Sequence, residues 1–287
     1  MDSELEHTML NVGSVRLHVV QAGPKDGKPV ILLHGFPDYW GGWEKQIGPL
    51  AEAGLRVIVP DQRGYNLSDK PRGLSAYRLD ALAQNVAGLM DVLGYQKTAV
   101  MGHDWGGLVA WAAAALFPPR VERLAVLDAP YPPVVFGSFL THPEQLVKSS
   151  YMYFFQLPAL PETALSRNNW ERLIKNMRRT APPDAFSEED FARYRAAWSQ
   201  PGAMTTMLNW YRALFRRPFR LPPRPQLPMP VLILWGGQDF ALGRELGERS
   251  KAVCAQAQLV VFEGANHWIH RELAAEVNRR LMEFIVP

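Results

Sequence analysis

Short runs of aliphatic and β-branched residues recur along the chain at Val15–Val20, Val30–Leu33, Val57–Val59, Thr98–Met101, Leu124–Leu127, Val231–Trp235 and Leu259–Phe262. Most are apolar throughout rather than alternating, and turn residues bound them. Strands covered on both faces carry that signature, whereas a half-solvated strand alternates apolar with polar. Segments of helical spacing, such as Tyr77–Leu93 and Leu108–Leu116, lie between the runs. The alternation predicts buried parallel strands joined by crossover helices.

That rhythm stops after Leu127. From Pro132 to about Leu221 no buried strand is legible; Trp170–Arg179, Glu188–Trp198 and Ala203–Phe215 read as helices, punctuated by Pro158, Pro161, Pro182, Pro183 and Pro218. The run Leu221-Pro222-Pro223-Arg224-Pro225 then returns the chain to strand patterning at Val231. The expected organisation is an α/β core over residues 1–132 and 222–287, with a helical cap inserted over 133–221 and no internal repeat. Ligands of open α/β sheets sit at the carboxyl ends of the strands, so a cap over that edge encloses a pocket.

Composition narrows the class without changing this picture. The 287 residues are 47% hydrophobic and 21% charged, near the soluble average, and no apolar run approaches the roughly 20 residues that span a bilayer. The acidic start Met1-Asp2-Ser3-Glu4-Leu5-Glu6 lacks the basic and apolar stretches of a signal peptide, so a cytoplasmic location away from membranes is expected. Cys254, the single cysteine, excludes an internal disulfide and any multi-cysteine metal site. A net charge of +3 is too small to imply a nucleic-acid partner. Residues 134–221 hold 12 Lys/Arg against 7 Asp/Glu, a balance of +5, which reads as a solvated arginine-rich helical face.

The chemistry is carried by Gly102-His103-Asp104-Trp105-Gly106-Gly107, between the strand ending at Met101 and the helix from Leu108. In this strand, sharp turn and helix context many hydrolases place a nucleophilic serine, and here it is Asp104. A serine attacking a saturated carbon would leave a stable ether. An aspartate leaves an ester whose carbonyl belongs to the enzyme and which water can cleave. The target is therefore an sp³ carbon, as in an epoxide or an alkyl halide.

His34-Gly35-Phe36-Pro37 follows an earlier strand, where such a loop lends one backbone N–H to an oxyanion hole. The donors expected here are the main-chain N–H groups of Phe36 and Trp105. His267, in a glycine-containing loop between the last strand and the helix beginning near Glu272, is the candidate base; His270 belongs to the start of that helix. Asp239, after the strand Val231–Trp235, is the favoured acid to orient the imidazole, with Asp128 as its competitor at another strand end.

With these residues in place, the chain resembles the epoxide hydrolases of the α/β-hydrolase superfamily over essentially its whole length. Tyr151-Met152-Tyr153-Phe154-Phe155-Gln156-Leu157-Pro158 is similar to the family's first cap motif, and Leu208-Asn209-Trp210-Tyr211-Arg212 to its second. The resemblance implies an α/β-hydrolase fold, a mostly parallel twisted sheet flanked by helices with an inserted cap (lid). It also implies that one tyrosine from each cap motif points at the nucleophile. Spacing to the following Phe-Gln and Pro selects Tyr151 over Tyr153, and Tyr211 stands alone in its segment. Asp61–Pro71 is a further family-like loop, in which Arg63 and Asp69 are candidates for an ion pair.

The implied reaction opens a small apolar epoxide to a vicinal diol through a covalent ester on Asp104, hydrolysed by water that His267 activates, with no metal or organic cofactor. Phe36, Trp105, Tyr151, Tyr211 and Phe155 are the expected substrate contacts. Phe136, Phe139, Phe154, Met204, Met207 and Leu208 are further apolar pocket candidates. Two alternatives stay open. A haloalkane dehalogenase shares the aspartate and Trp105 and would need a second indole, from Trp40, Trp43 or Trp210. A non-catalytic homologue would keep the greasy pocket without the reaction. A homodimer through the cap is also open, with no residue that argues for it.

Overall fold

The computed structural model describes residues 5–141, 143–219, 221–222 and 227–286. Its strands are β1 (Glu6–Val12), β2 (Val15–Ala22), β3 (Lys28–Leu33), β4 (Leu55–Pro60), β5 (Thr98–His103), β6 (Val121–Leu127), β7 (Val231–Gly236) and β8 (Ala257–Phe262). They form one eight-stranded sheet in the order β1-β2-β4-β3-β5-β6-β7-β8. From β4 to β8 all neighbours pair in parallel, and β2 runs antiparallel to both β1 and β4.

Each apolar run in the sequence is a strand of this sheet, and β4, β5 and β7 are buried at every position. β1 is an addition. Its sequence Glu6-His7-Thr8-Met9-Leu10-Asn11-Val12 alternates exposed with half-buried positions, as expected of an edge strand that only one face covers.

The helices of the first half are α1 (Glu44–Glu52), α2 (Leu79–Val92) and α3 (Trp105–Leu116), followed by α4 (Pro132–Thr141), α5 (Pro143–Lys148) and α6 (Tyr151–Phe154). Those of the second half are α7 (Leu160–Arg179), α8 (Glu188–Trp198), α9 (Ala203–Arg216), α10 (Arg244–Ala252), α11 (Ile269–Glu272) and α12 (Ala274–Ile285). On one face of the sheet Ile47 and Leu50 of α1 meet Val277, Leu281 and Ile285 of α12. On the other, α2, α3 and α10 share an apolar core with residues from α6 to α9.

Between β6 and β7 the described residues contain helices and loops and no strand. α7 is broken at residues 167–170, where Asn168, Asn169 and Trp170 take positive φ. α8 starts with a capping box: the Ser187 hydroxyl accepts from the Asp190 N–H while the Asp190 carboxylate accepts from the Ser187 N–H. Residues 223–226, in the proline-rich return to β7, and the side chains of Phe136 and Phe139 lie outside the described residues. Among those described, no helix is long and apolar enough to cross a membrane.

What positions the site is the close approach of three backbone segments at the β5–α3 turn. A Cβ on Gly106 would sit 2.0 Å from the Leu33 carbonyl oxygen, and one on Gly102 would sit 2.2 Å from the Gly106 carbonyl oxygen. Backbone atoms cannot retreat from such contacts as a side chain can. Gly106→Ala therefore tests the packing against helix propensity, which alone favours alanine by about 1 kcal/mol in a helix. We expect a net loss of about 2–3 kcal/mol, read as a lower urea midpoint at unchanged m-value; an unchanged or raised midpoint contradicts the tight approach.

Candidate active site

β5 ends at His103 and α3 begins at Trp105, leaving Asp104 alone in the turn with φ 51° and ψ −122°. A non-glycine residue in this conformation costs on the order of 1–3 kcal/mol and persists only where the surroundings impose it. Here the Asp104 N–H donates to the Leu127 carbonyl at 3.1 Å, and the Asp104 carbonyl accepts from the Leu108 N–H at 3.1 Å. The side chain is thereby raised off the carboxyl edge of the sheet.

Its carboxylate lies in a backbone cradle. The Phe36 N–H donates to Asp104 Oδ1 at 2.8 Å. A Cβ on Gly35 would fall 2.4 Å from the same oxygen, so only glycine lets this loop come so close. Burial raises the Asp104 pKa, opposed by the positive charge of His267 and by the N–H groups of Phe36 and Trp105.

The Asp61–Pro71 loop supports the cradle from behind. His34 Nε2 accepts from the Gln62 N–H at 3.0 Å, and Asp61 Oδ1 accepts from the Trp40 N–H at 3.0 Å. The Arg63–Asp69 ion pair considered from sequence does not form. Arg63 instead donates to the Ala76 carbonyl at 2.9 Å, and Asp69 accepts from the Arg16 backbone N–H at 2.8 Å. The two residues serve different ends of the loop.

His267 follows β8 in the loop that leads to α11, and its Nδ1 lies 2.8 Å from Asp239 Oδ2. Its Nε2 is 3.8 Å from Asp104 Oδ2, on the side of the carboxylate away from the Phe36 N–H. The other oxygen of Asp239 accepts from the N–H groups of Ala241 and Leu242 at 2.7 and 2.9 Å. Burial by itself lowers the His267 pKa, but the charge and hydrogen bond of Asp239, with the charge of Asp104, push it up to about 10. The resting site thus holds a protonated imidazole between two carboxylates.

Asp128 sits close behind without touching the imidazole. Its Oδ1 accepts from the Gly236 N–H at 2.7 Å, and burial followed by repulsion from Asp239 raises its pKa well above the carboxylate range. His270 lies inside α11, 3.9 Å from Asp38. His103 was not singled out from sequence although it stands beside Asp104; its Nε2 is 2.8 Å from the His267 carbonyl and so anchors the loop that carries His267. Among the described residues, two buried groups bring metal-ligating atoms within 4.8 Å of one another: Asp38, His103 and His270, and His103, Asp128 and His267. Burial depresses the pKa of both His103 and His270.

From the helical layer, Tyr151 and Tyr211 reach the same space, their rings 5.9 Å apart. Tyr211 meets Phe36, Trp105 and Phe155 edge to face at 5.3, 4.9 and 5.0 Å. Burial, then nearby charge and ring partners including Asp104, raise both phenol pKa values, so both remain neutral hydroxyls. Tyr153 lies half exposed against Phe215.

Two cavities open beside these groups, one of about 570 Å³ and one of about 50 Å³, and Asp104, Tyr151 and Tyr211 line both. Phe36, Phe154, Phe155 and His267 face the larger, and Trp105 the smaller. Met204, Met207 and Leu208, expected near the pocket, line neither; they are buried in the apolar core that α9 shares with its neighbours. A helix buries one face whether or not a cavity lies beyond it, and sequence periodicity does not tell the two apart.

A family profile described as the alpha/beta hydrolase fold matches residues 28–272. The chain is 44% identical to AB hydrolase superfamily protein YfhM of Bacillus subtilis over 96% of each chain. It is 36% identical to human Epoxide hydrolase 4, covering 94% of this chain and 76% of that protein. A crystal structure of a Bacillus megaterium epoxide hydrolase mutant with its product, a naphthyloxy-propanediol, superposes with a TM-score of 0.90 at 28% identity, covering 98% of this chain and all of that one. The chain belongs to the α/β-hydrolase fold family and groups with its epoxide hydrolases.

Proposed function

We propose that this protein hydrolyses epoxides to vicinal diols through a covalent ester on Asp104. The observation that carries the reading is convergence: one buried carboxylate and two neutral phenols, from opposite layers, line the same two cavities. Nucleophile and leaving-oxygen donors must face each other across a carbon attacked from behind. The helical segment over 133–221 acts as the cap that brings the donors.

Asp104 Oδ2, free of the backbone cradle, attacks a ring carbon while the hydroxyls of Tyr151 and Tyr211 hydrogen-bond the epoxide oxygen. Ring opening makes that oxygen an alkoxide, so the phenols stabilise the transition state more than the substrate, and one supplies its proton. Esterification cancels the Asp104 charge. That charge is one of those holding His267 protonated, so its loss lets the imidazolium give up its proton, which restores the phenol that protonated the alkoxide, and the neutral imidazole can then act as a base. His267, oriented by Asp239, then takes a proton from water attacking the Asp104 carbonyl carbon. The Phe36 and Trp105 N–H groups hold the resulting oxyanion, as they already hold the carboxylate. On collapse the His267 imidazolium protonates the leaving alkoxide, which departs as the diol with the original Oδ2; the water oxygen stays on Asp104, whose carboxyl proton returns to His267.

Halide release is less well served by the same site. It needs free N–H donors rather than hydroxyls, yet the Trp210 indole donates to the Arg63 carbonyl at 3.0 Å. Trp40, Trp43 and Trp210 line neither cavity.

Three outcomes are expected. A single turnover of styrene oxide in ¹⁸O-water places label on Asp104 and leaves the first diol unlabelled; label in the diol alone means direct attack by water. Tyr151→Phe or Tyr211→Phe slows ester formation, and the double variant loses roughly 10²–10⁴-fold of the rate if the phenols act as general acid, whereas unchanged burst kinetics of the double variant removes them from the mechanism. Asp104→Asn, verified free of deamidation, shifts the His267 pKa downward from about 10 because one of the anions raising it is gone. An NMR titration of the imidazole reads this directly, and an unmoved pKa contradicts the ion-pair description of the resting site.

A further inference from the structure

The two cavities differ in character, and the difference describes a substrate. Leu79, Leu108, Pro130, Val135, Leu214 and Leu242 wall the smaller one, which has room for only a short apolar substituent. The larger one, within the ordinary size range of ligand pockets, has an apolar inner part at Phe36, Phe155, Leu173 and Met177. It also takes in Lys148, Arg172, Lys175 and Arg179, all exposed at its outer end. Among its lining residues the sole carboxylate is Asp104.

This charge is not a generic solvated face. Arg172, Lys175, Asn176 and Arg179 stand at helical spacings of three, four and seven in the second half of α7, so one stripe of that helix turns cations and an amide toward the cavity. Lys175 is bridged to Glu171 at 2.9 Å, which reduces its share. The others carry no such counter-charge. The Arg172 guanidinium lies over the Phe154 ring at 5.7 Å, Arg179 donates to Asn176 Oδ1 at 3.1 Å, and Lys148 donates to the Asp239 carbonyl at 3.0 Å. None of these three pairs with a carboxylate among the described residues. A cleft lined by one sign of charge concentrates ligands of the opposite sign, and guanidinium groups suit a carboxylate in particular.

We propose that the preferred substrate is an internal epoxide with one short apolar arm and one longer arm ending in a carboxylate, the short arm entering the smaller cavity and the carboxylate resting on the cationic outer end of the larger one. This rests on the epoxide-hydrolysing reading of Asp104, Tyr151 and Tyr211, and adds what the second cavity selects. The apolar stretch at Phe155, Leu173 and Met177 carries the stem of the longer arm. Because the cations are exposed, their effect lies mainly in capture and is sensitive to salt.

The test compares kcat/KM for a medium-chain internal epoxide ending in a carboxylate with that of its primary-amide twin, alongside styrene oxide. The acid is expected to exceed the amide by about tenfold at low ionic strength, the advantage fading toward parity in molar sodium chloride. In Arg172→Gln/Arg179→Gln protein the acid-to-amide ratio is expected to fall toward one even at low salt. Equal kcat/KM for acid and amide at low salt, with both hydrolysed, overturns the carboxylate arm and leaves the epoxide reading standing. A ratio that survives both salt and the double substitution also overturns it, since the preference then arises elsewhere. Absence of diol from all three compounds removes the epoxide reading, and this inference with it.

Discussion

The central constraint on this molecule is the placing of one carboxylate where burial disfavours its charge. Asp104 is largely buried, its side chain 15% exposed, at the junction of two cavities, and burial alone raises its pKa. Two backbone N–H groups and one imidazolium hold the charge, and each in turn demands its own support. Gly35 and Gly106 exist as glycines because the cradle requires backbone to approach backbone or carboxylate closer than a Cβ allows. Asp239 compensates the buried imidazolium, and its second oxygen accepts from two backbone N–H groups. The negative charge also helps keep Tyr151 and Tyr211 protonated, which leaves them as hydrogen-bond donors. A single charge thus contributes to the protonation of three groups around it, beside burial and Asp239.

Much of this was legible in the sequence because it depends on local rules. Runs such as Val57–Val59 and Val231–Trp235 became strands since continuous apolar sequence of that length has few other places to go. The turn at Asp104 was legible because its glycines announce close packing around a sharp strand-to-helix junction. His267 and Asp239, in loops after successive strands, meet at 2.8 Å because neighbouring parallel strands deliver their following loops to the same edge. Tyr151 and Tyr211 came from the resemblance of two cap segments. Periodicity would have read them as core.

What the sequence did not disclose depends on contacts between distant elements. β1 escaped notice because its alternating residues fit an exposed N-terminal segment as well as an edge strand, and only the pairing of Glu6–Val12 with Val15–Gln21 decides. Arg63 and Asp69 look complementary along the chain, yet each finds a nearer partner in another segment. The Lys/Arg excess over 134–221 carried no direction in sequence. The face that α7 turns to the cavity was not legible because the helical spacing of Arg172, Lys175 and Arg179 is the same whether solvent or a cavity lies beyond it.

On the proposed mechanism the division of labour between layers follows from the chemistry: attack from behind a carbon would set the nucleophile and the donors to the leaving oxygen on opposite sides of the substrate, so neither layer would suffice alone. The gap between them must then hold its width. Edge-to-face contacts of Tyr211 with Phe36 and Trp105 set that spacing directly at the site. Around it, buried polar bonds cross between the layers: the Tyr194 hydroxyl donates to Asp38 Oδ1 at 2.8 Å, Arg271 donates to the Ala185 carbonyl at 3.0 Å, and the indoles of Trp198 and Trp210 donate to the carbonyls of Pro37 and Arg63. Directional bonds resist sliding in a way that apolar contact alone does not, since an unmet buried donor is costly wherever the surface comes to rest. Those of Tyr194, Trp198 and Trp210 fall on the residues that flank the Phe36 loop and its supporting loop, so the contacts that seat the helical layer are continuous with those that cradle the carboxylate.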